Sequence, residues 1–193
     1  MKKLLLPILL LSLTGNAQLS KEKDSYLSFS GGFDIRNATV GSAPTQNKPA
    51  LNYIVEMHAV SRNIDITIGY EAFNEIKYSR MISGLGVHFP LYAYIGHAEI
   101  KTTFQPSLEA SIIQRTHDDN YTTLDGIKHD YQRKVGFMAY GLNLAFNWDL
   151  SDSFAIQTAT NIIQRPDKDY LYHESDRYVL SNYLKVILKL NQN

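Results

Sequence analysis

Few residues of this chain have the types and spacing for chemistry. His173, Glu174, Ser175 and Asp176 bring an imidazole, a hydroxyl and two carboxylates within four positions, the parts of an acyl-transfer site in which a base takes the serine proton. Side chains of adjacent loop residues diverge, though, and nothing in the spacing sets the imidazole against the hydroxyl. His173, Ser175 and Asp176 are thus candidates on residue type alone, and the chain is expected not to be an enzyme. His117-Asp118-Asp119 has the types to hold a divalent cation, but a solvated loop explains the same residues more simply. His58 and His88 fall on the polar side of alternating segments, where hydrogen bonding in an enclosed interior fits better than metal ligation. No metal and no cofactor is expected. Glu56, Arg80, Glu109 and Lys185 are isolated charges on otherwise small, polar faces and are expected to pair with one another.

The elements that must position these residues have a period of two. Tyr26 to Arg36 sets Leu27, Phe29, Phe33 and Ile35 against Ser28, Ser30, Gly32 and Asp34. After a polar loop from Asn37 to Ala50, Leu51, Tyr53, Val55, Met57 and Ala59 alternate with Asn52, Ile54, Glu56 and His58. Ser61-Arg62-Asn63 turns into a third segment, Ile64 to Ala72, the clearest alternation in the chain. Tyr78 to Phe89 follows a brief Asn74-Glu75-Ile76 connection and is expected to stop at Pro90. Leu91 to Ile100 fits either a turn or a short strand and is treated as a connection. Lys101 to Arg115 is the fifth segment, in which Pro106 requires a bulge or a late start. His117 to Asp130 is polar and loop-like. Lys134 to Asp149, Phe154 to Ile162 and Arg177 to Leu190 complete eight segments, separated by a tight Leu150-Ser151-Asp152 turn and a loop from Pro166 to Asp176.

Met1-Lys2-Lys3, the apolar run Leu4 to Leu13 and Gly15-Asn16-Ala17 have the layout of a signal peptide cleaved after Ala17. Residues 18–193 then form one domain. Nineteen basic against nineteen acidic residues recommend no nucleic-acid partner, and the absence of cysteine excludes disulfides and thiolate metal sites. Thirteen tyrosines and eight phenylalanines suit the aromatic girdles of a membrane barrel. If the first loop is extracellular, the tight turns after the second and sixth segments are periplasmic, as are both termini.

A secreted carrier barrel would turn its apolar face inward and a Lys- and Glu-rich face to water. Here the polar face is mostly Ser, Gly, Ala, Asn, Thr and Gln, which suits a narrow filled lumen, and the apolar face is nearly free of charge. The expected fold is all-β, an eight-stranded antiparallel up-and-down transmembrane β-barrel. With its leader, its eight alternating segments and the Leu150-Ser151-Asp152-Ser153-Phe154 turn, the chain resembles the small OmpA/OmpX-like outer-membrane barrels of Gram-negative bacteria. It departs from them at Lys189-Leu190-Asn191-Gln192-Asn193, where such barrels usually finish on an aromatic residue read by the barrel assembly machinery.

The resemblance implies outer-membrane lipid as the surroundings, the assembly machinery as a partner in biogenesis, and a structural or surface-interaction role through long extracellular loops. A lipid A deacylase or acyltransferase and a narrow ion-conducting pore are the alternatives. Arg36, Lys77, Arg80, Arg115, Arg133, Lys134, Arg165 and Arg177 all fall near the loop ends of their segments. All but Arg80 form a basic rim suited to lipopolysaccharide phosphates, although wet strand ends carry charge for no further reason.

Overall fold

The computed structural model describes residues 25–41, 49–95, 98–167 and 178–191. Antiparallel strands make up nearly all of it: β1 (Ser25–Asp34), β2 (Asn52–Ser61), β3 (Ile64–Phe73), β4 (Tyr78–Val87), β5 (Phe89–Ile95), β6 (Ala98–Thr122), β7 (Lys128–Asp149), β8 (Phe154–Gln164) and β9 (Tyr178–Asn191). The sheet runs β4-β3-β2-β1-β9-β8-β7-β6-β5, and β4 also pairs with β6, which closes the wall. From Tyr26 the ladders pass through Val60, Asp65, Gly86, Ser107, Asn143 and Asn161 to Ser181. Ser181 stands two residues past the Asp34–Tyr183 pair, level with position 36 on the line of β1 extended. The circuit thus climbs from 26 to 36, a shear of ten residues. For eight strands ~4.8 Å apart rising ~3.4 Å per residue, that is a tilt of about 40°.

Nine strands make eight staves because β4 and β5 are one stave in two pieces. Gly86 pairs with Ser107 and Phe89 with Phe104, the same register on both sides of the gap. The gap lies opposite Pro106, which has no N–H to give. His88 N donates instead to Asn63 O at 2.8 Å across the neighbouring turn. Pro106 is therefore accommodated by a local loss of pairing, not by the expected bulge or late start. Pro90 does not end the stave either: it pairs with Thr103 in β5, whose other edge has no neighbour among the described residues, so its missing donor costs no ladder bond there. Within Leu91 to Ile100, residues 91–95 and 98–100 are neither a plain connection nor a ninth stave, but paired arms that lengthen β4 and β6 past the wall.

The second correction is at the opposite end. His117 to Asp130, expected as a loop, mostly continues β6 and β7 as a paired ribbon up to Thr122 and Lys128, closed by a turn in which Gly126 N donates to Thr123 O at 2.9 Å. Its residues 116–122 add roughly 24 Å of ribbon above the wall. Both faces there are wet, so no alternation marks it in the sequence. The first strand is also shorter than expected. It stops at Asp34, whose carboxylate accepts from Arg36 N at 2.9 Å and Asn37 N at 3.2 Å and so caps a single helical turn, α1 (Ile35–Thr39).

The end with α1 and the ribbon is called the loop end below, and the end with the Arg62-Asn63 and Leu150–Ser153 turns the turn end. In the latter turn, Ser151 Oγ accepts from Phe154 N at 3.1 Å. Outward positions are apolar and exposed, among them Val55, Ile66, Ile68, Leu85, Leu108, Met138 and Val186. Phe89, Phe104, Phe146 and Trp148 stack edge to edge in a belt near the turn end, with successive centroids 6.3, 5.0 and 6.4 Å apart. Tyr53, Tyr70, Tyr140 and Tyr178 lie outward toward the loop end, all at least a third exposed.

Candidate functional site

Strand parity puts the charges indoors. Glu56 on β2, Glu71 on β3, Arg80 on β4, Glu109 on β6 and Lys185 on β9 each share a face with small polar neighbours, and all are buried. Lys185 Nζ donates to Glu56 Oε2 at 2.6 Å, and Ser30 Oγ donates to the same oxygen at 3.0 Å. Arg80 lies between two carboxylates, with Nε 2.7 Å from Glu71 Oε2 and Nη1 3.5 Å from Glu109 Oε2. These are contacts of charge more than aligned hydrogen bonds, because none of its N–H groups meets an acceptor in bonding geometry. The carboxylates are better served: Asn52 and Tyr183 donate to Glu71 at 2.8 and 2.5 Å, and Asn161 donates to Glu109 at 2.6 Å. The four residues expected to pair are thus arranged as two couples, Lys185–Glu56 and Arg80–Glu109. Glu71, which the sequence reading passed over, is Arg80's nearer partner.

Around these ions lie Ile54, Ile82, Ala145, Ala159 and Tyr183, none more than 5 % exposed. The middle of the lumen is consequently filled by side chains. Toward the turn end, His58 Nδ1 is 3.1 Å and His88 Nε2 3.4 Å from one oxygen of Asp65, to which Gln105 also donates. Lys189 Nζ pairs with Asp149 at 2.7 Å at that mouth. Both histidines therefore serve the lumen's hydrogen bonding.

At the loop end a second apolar layer, Phe73, Tyr78, Ile113, Ala139 and Ile163, lies over the ionic centre. Beside it is a cavity of about 160 Å³ bordered by Asp34, Arg36, Asn52, Arg165, Ser181 and Tyr183. The geometry corrects the basic rim. Arg115 and Arg165 turn inward and are buried, converging on Asp167: Arg165 donates twice to its carboxylate, at 2.7 and 2.6 Å, and Arg115 Nη1 lies 3.3 Å away. Parity decides this, since Arg115 shares its face with Glu109 and Arg165 with Asn161. Burial favours a neutral carboxyl at Asp167, but the two guanidiniums outweigh it and hold that carboxyl below its usual range. Arg36, Lys77, Arg133 and Lys134 are exposed; Arg177 lies outside the described residues.

His117, Asp118 and Asp119 do not converge, because successive positions of the ribbon point to opposite faces. Asp118 takes Lys77 Nζ at 2.8 Å on both oxygens, whereas Asp119 accepts from Tyr131 at 3.1 Å. His173, Glu174, Ser175 and Asp176 lie outside the described residues. On the ribbon, Tyr121 stacks on His129 with centroids 5.1 Å apart and meets Tyr131 edge-on at 6.0 Å.

Lys77 holds the exposed Asp118 carboxyl below its usual value of 3.8. A lowered carboxyl contributes its tie above the unfolded value and loses it as pH falls through the folded one. In Lys77→Met the Asp118 titration midpoint is therefore expected to move up toward 3.8, read by carboxyl NMR; an unmoved midpoint would show the contact to be idle.

The arrangement amounts to a wall that is polar within and apolar without, a plugged lumen and a raised ribbon. The N-terminal β-barrel domain of Pseudomonas aeruginosa OprF superimposes on 88% of this chain and 100% of its own, with TM-score 0.53 and 8% sequence identity. Neisserial surface protein A aligns over 86% of this chain and 97% of its own, with TM-score 0.46 and 7% identity. No protein-family model matches the chain, and no curated protein resembles it in sequence. The fold is that of the small eight-stranded barrels of outer membranes.

Proposed function

We propose that the barrel sits in a bacterial outer membrane as a non-enzymatic, non-conducting protein that acts as a structural element and as a surface for interaction at its loop end. The observation that carries this reading is the inverted polarity of the wall. Between the turn-end hairpin and the ribbon, every charged side chain of the described wall points into the lumen, and the outward positions from Leu27 to Phe33, Tyr53 to Ala59, Ile64 to Tyr70 and Leu180 to Leu190 carry none. One lysine or arginine turned to lipid at mid-depth would cost ~2–4 kcal/mol, so such a belt suits hydrocarbon. In water the same belt would be a contiguous apolar patch far larger than soluble monomers expose.

Exposed Arg36, Arg133 and Lys134 stand at the height where anionic headgroups would lie, which supports contact with lipopolysaccharide. The ribbon, with Tyr121, Tyr131, Leu124 and Ile127 exposed, is the part of the loop end that reaches furthest from the wall among the described residues. Fractionation with gel mobility before and after heating, together with planar-bilayer recording, tests the reading. Membrane-bound, heat-modifiable protein that passes no current is expected. Recovery in the soluble fraction without detergent would overturn the membrane placement, and current steps altered by Glu56→Gln would favour the pore instead.

A further inference from the structure

One patch of the outward wall gathers several polar side chains. Asn182 on β9 faces outward and pairs across the ladder with Thr160 on β8, whose Oγ1 donates to Asn182 Oδ1 at 2.9 Å. Thr158, the next outward residue of β8, adds a second hydroxyl. The patch lies inside the apolar band and not at its rim: Leu180 and Ile162 stand on its loop-end side, Leu184 and Ile156 on the other. Asn182 is four residues in from Tyr178, roughly 10 Å along the axis at the tilt of this barrel, too deep to meet headgroups. It is the sole side-chain amide on the outward wall between the aromatic belt and Tyr140, among the described residues. Its Nδ2 donates to nothing there, and a polar group left unpaired in hydrocarbon is costly.

We infer that this face of β8 and β9 is an interface with a second copy of the chain in the membrane. The inference rests on the membrane placement proposed above. A two-fold contact needs a patch that complements itself. This one does: Asn182 Nδ2 offers two spare N–H groups, while Thr160 Oγ1 and the second lone pair of Asn182 Oδ1 are acceptors. Across a two-fold axis each copy donates its amide to the other's acceptors, and Leu180, Ile162, Leu184 and Ile156 pack around the bonds. An unrelated partner would have to supply the same pairing by coincidence. Hydrogen bonds of this kind are what hold associating segments together where lipid removes the hydrophobic drive.

The absence of native cysteine makes the test direct. The full chain carrying Thr158→Cys is inserted in phospholipid vesicles and oxidised, with Ser83→Cys, outward on the far wall, as the control. Disulfide-linked dimer is expected from position 158 and not from position 83. Adding Asn182→Leu is expected to weaken dimerisation about tenfold, followed by energy transfer between labelled copies, while folding is retained by heat-modifiable mobility. Equal cross-linking at both positions, indifference to Asn182→Leu, or a cross-link to a different protein in native membranes overturns the inference. Vesicle flotation separates the two failures: a floating monomer removes only the dimer, whereas a chain that does not float removes the membrane placement as well.

Discussion

Replacing Arg80 by methionine is expected to cost about 3–5 kcal/mol of stability, because it leaves buried carboxylates without their counter-charge. Arg80 is 1 % exposed and stands between Glu71 and Glu109, at 2.7 and 3.5 Å. Both carboxylates are themselves buried. The desolvation already spent on them is offset by Arg80, and methionine fills similar volume without that charge. Adding Glu71→Gln and Glu109→Gln is expected to recover most of the loss, since neutral amides at those positions can still bond Asn52, Tyr183 and Asn161. Urea unfolding in vesicles reads both effects through the single tryptophan, Trp148. An Arg80→Met barrel as stable as the parent, or a triple variant no better than the single one, would show that the ions in the lumen act independently.

The alternation alone makes this centre legible in the sequence. Glu56, Arg80, Glu109 and Lys185 stand at inward positions because a period of two leaves only two choices of face, and the small residues beside them mark which one is enclosed. The same rule, applied to the strand ends, would have placed Arg115 and Arg165 indoors. Height along the barrel alone says where a residue is but not where it points. Their partner Asp167 lies beyond β8, where no period holds. The ribbon was hidden for a different reason. Alternation records a difference between two environments, and residues 117–122 and 128–133 have water on both sides. The split between β4 and β5 needed the register itself, because Pro106 shows its effect on a neighbouring strand and not on its own.

The largest local effect is expected at Gly32, where valine should prevent the barrel from closing. Gly32 faces the lumen opposite Lys185. A Cβ there would lie 2.1 Å from Leu184 O, 2.7 Å from Lys185 Cα and 2.7 Å from Lys185 Cγ. Two of those three atoms are backbone, so the strain is relieved only by parting β1 from β9, the ladder that joins the first strand to the last. The cost therefore exceeds the ~1–3 kcal/mol of ordinary overpacking, in which side chains can shift. Gly31, one residue earlier, faces outward, and a Cβ there meets nothing within 4 Å. Gly31→Val is accordingly expected to be neutral or mildly stabilising, as β-branched residues favour strands. Heat-modifiable mobility and urea midpoints of the two variants give the comparison: Gly31→Val folds as the parent does, Gly32→Val does not. Equal behaviour would mean that β9 can yield by more than an ångström. In that case the fixed register of the closing seam, on which the burial of Lys185 and Glu56 depends, would not be a property of this barrel.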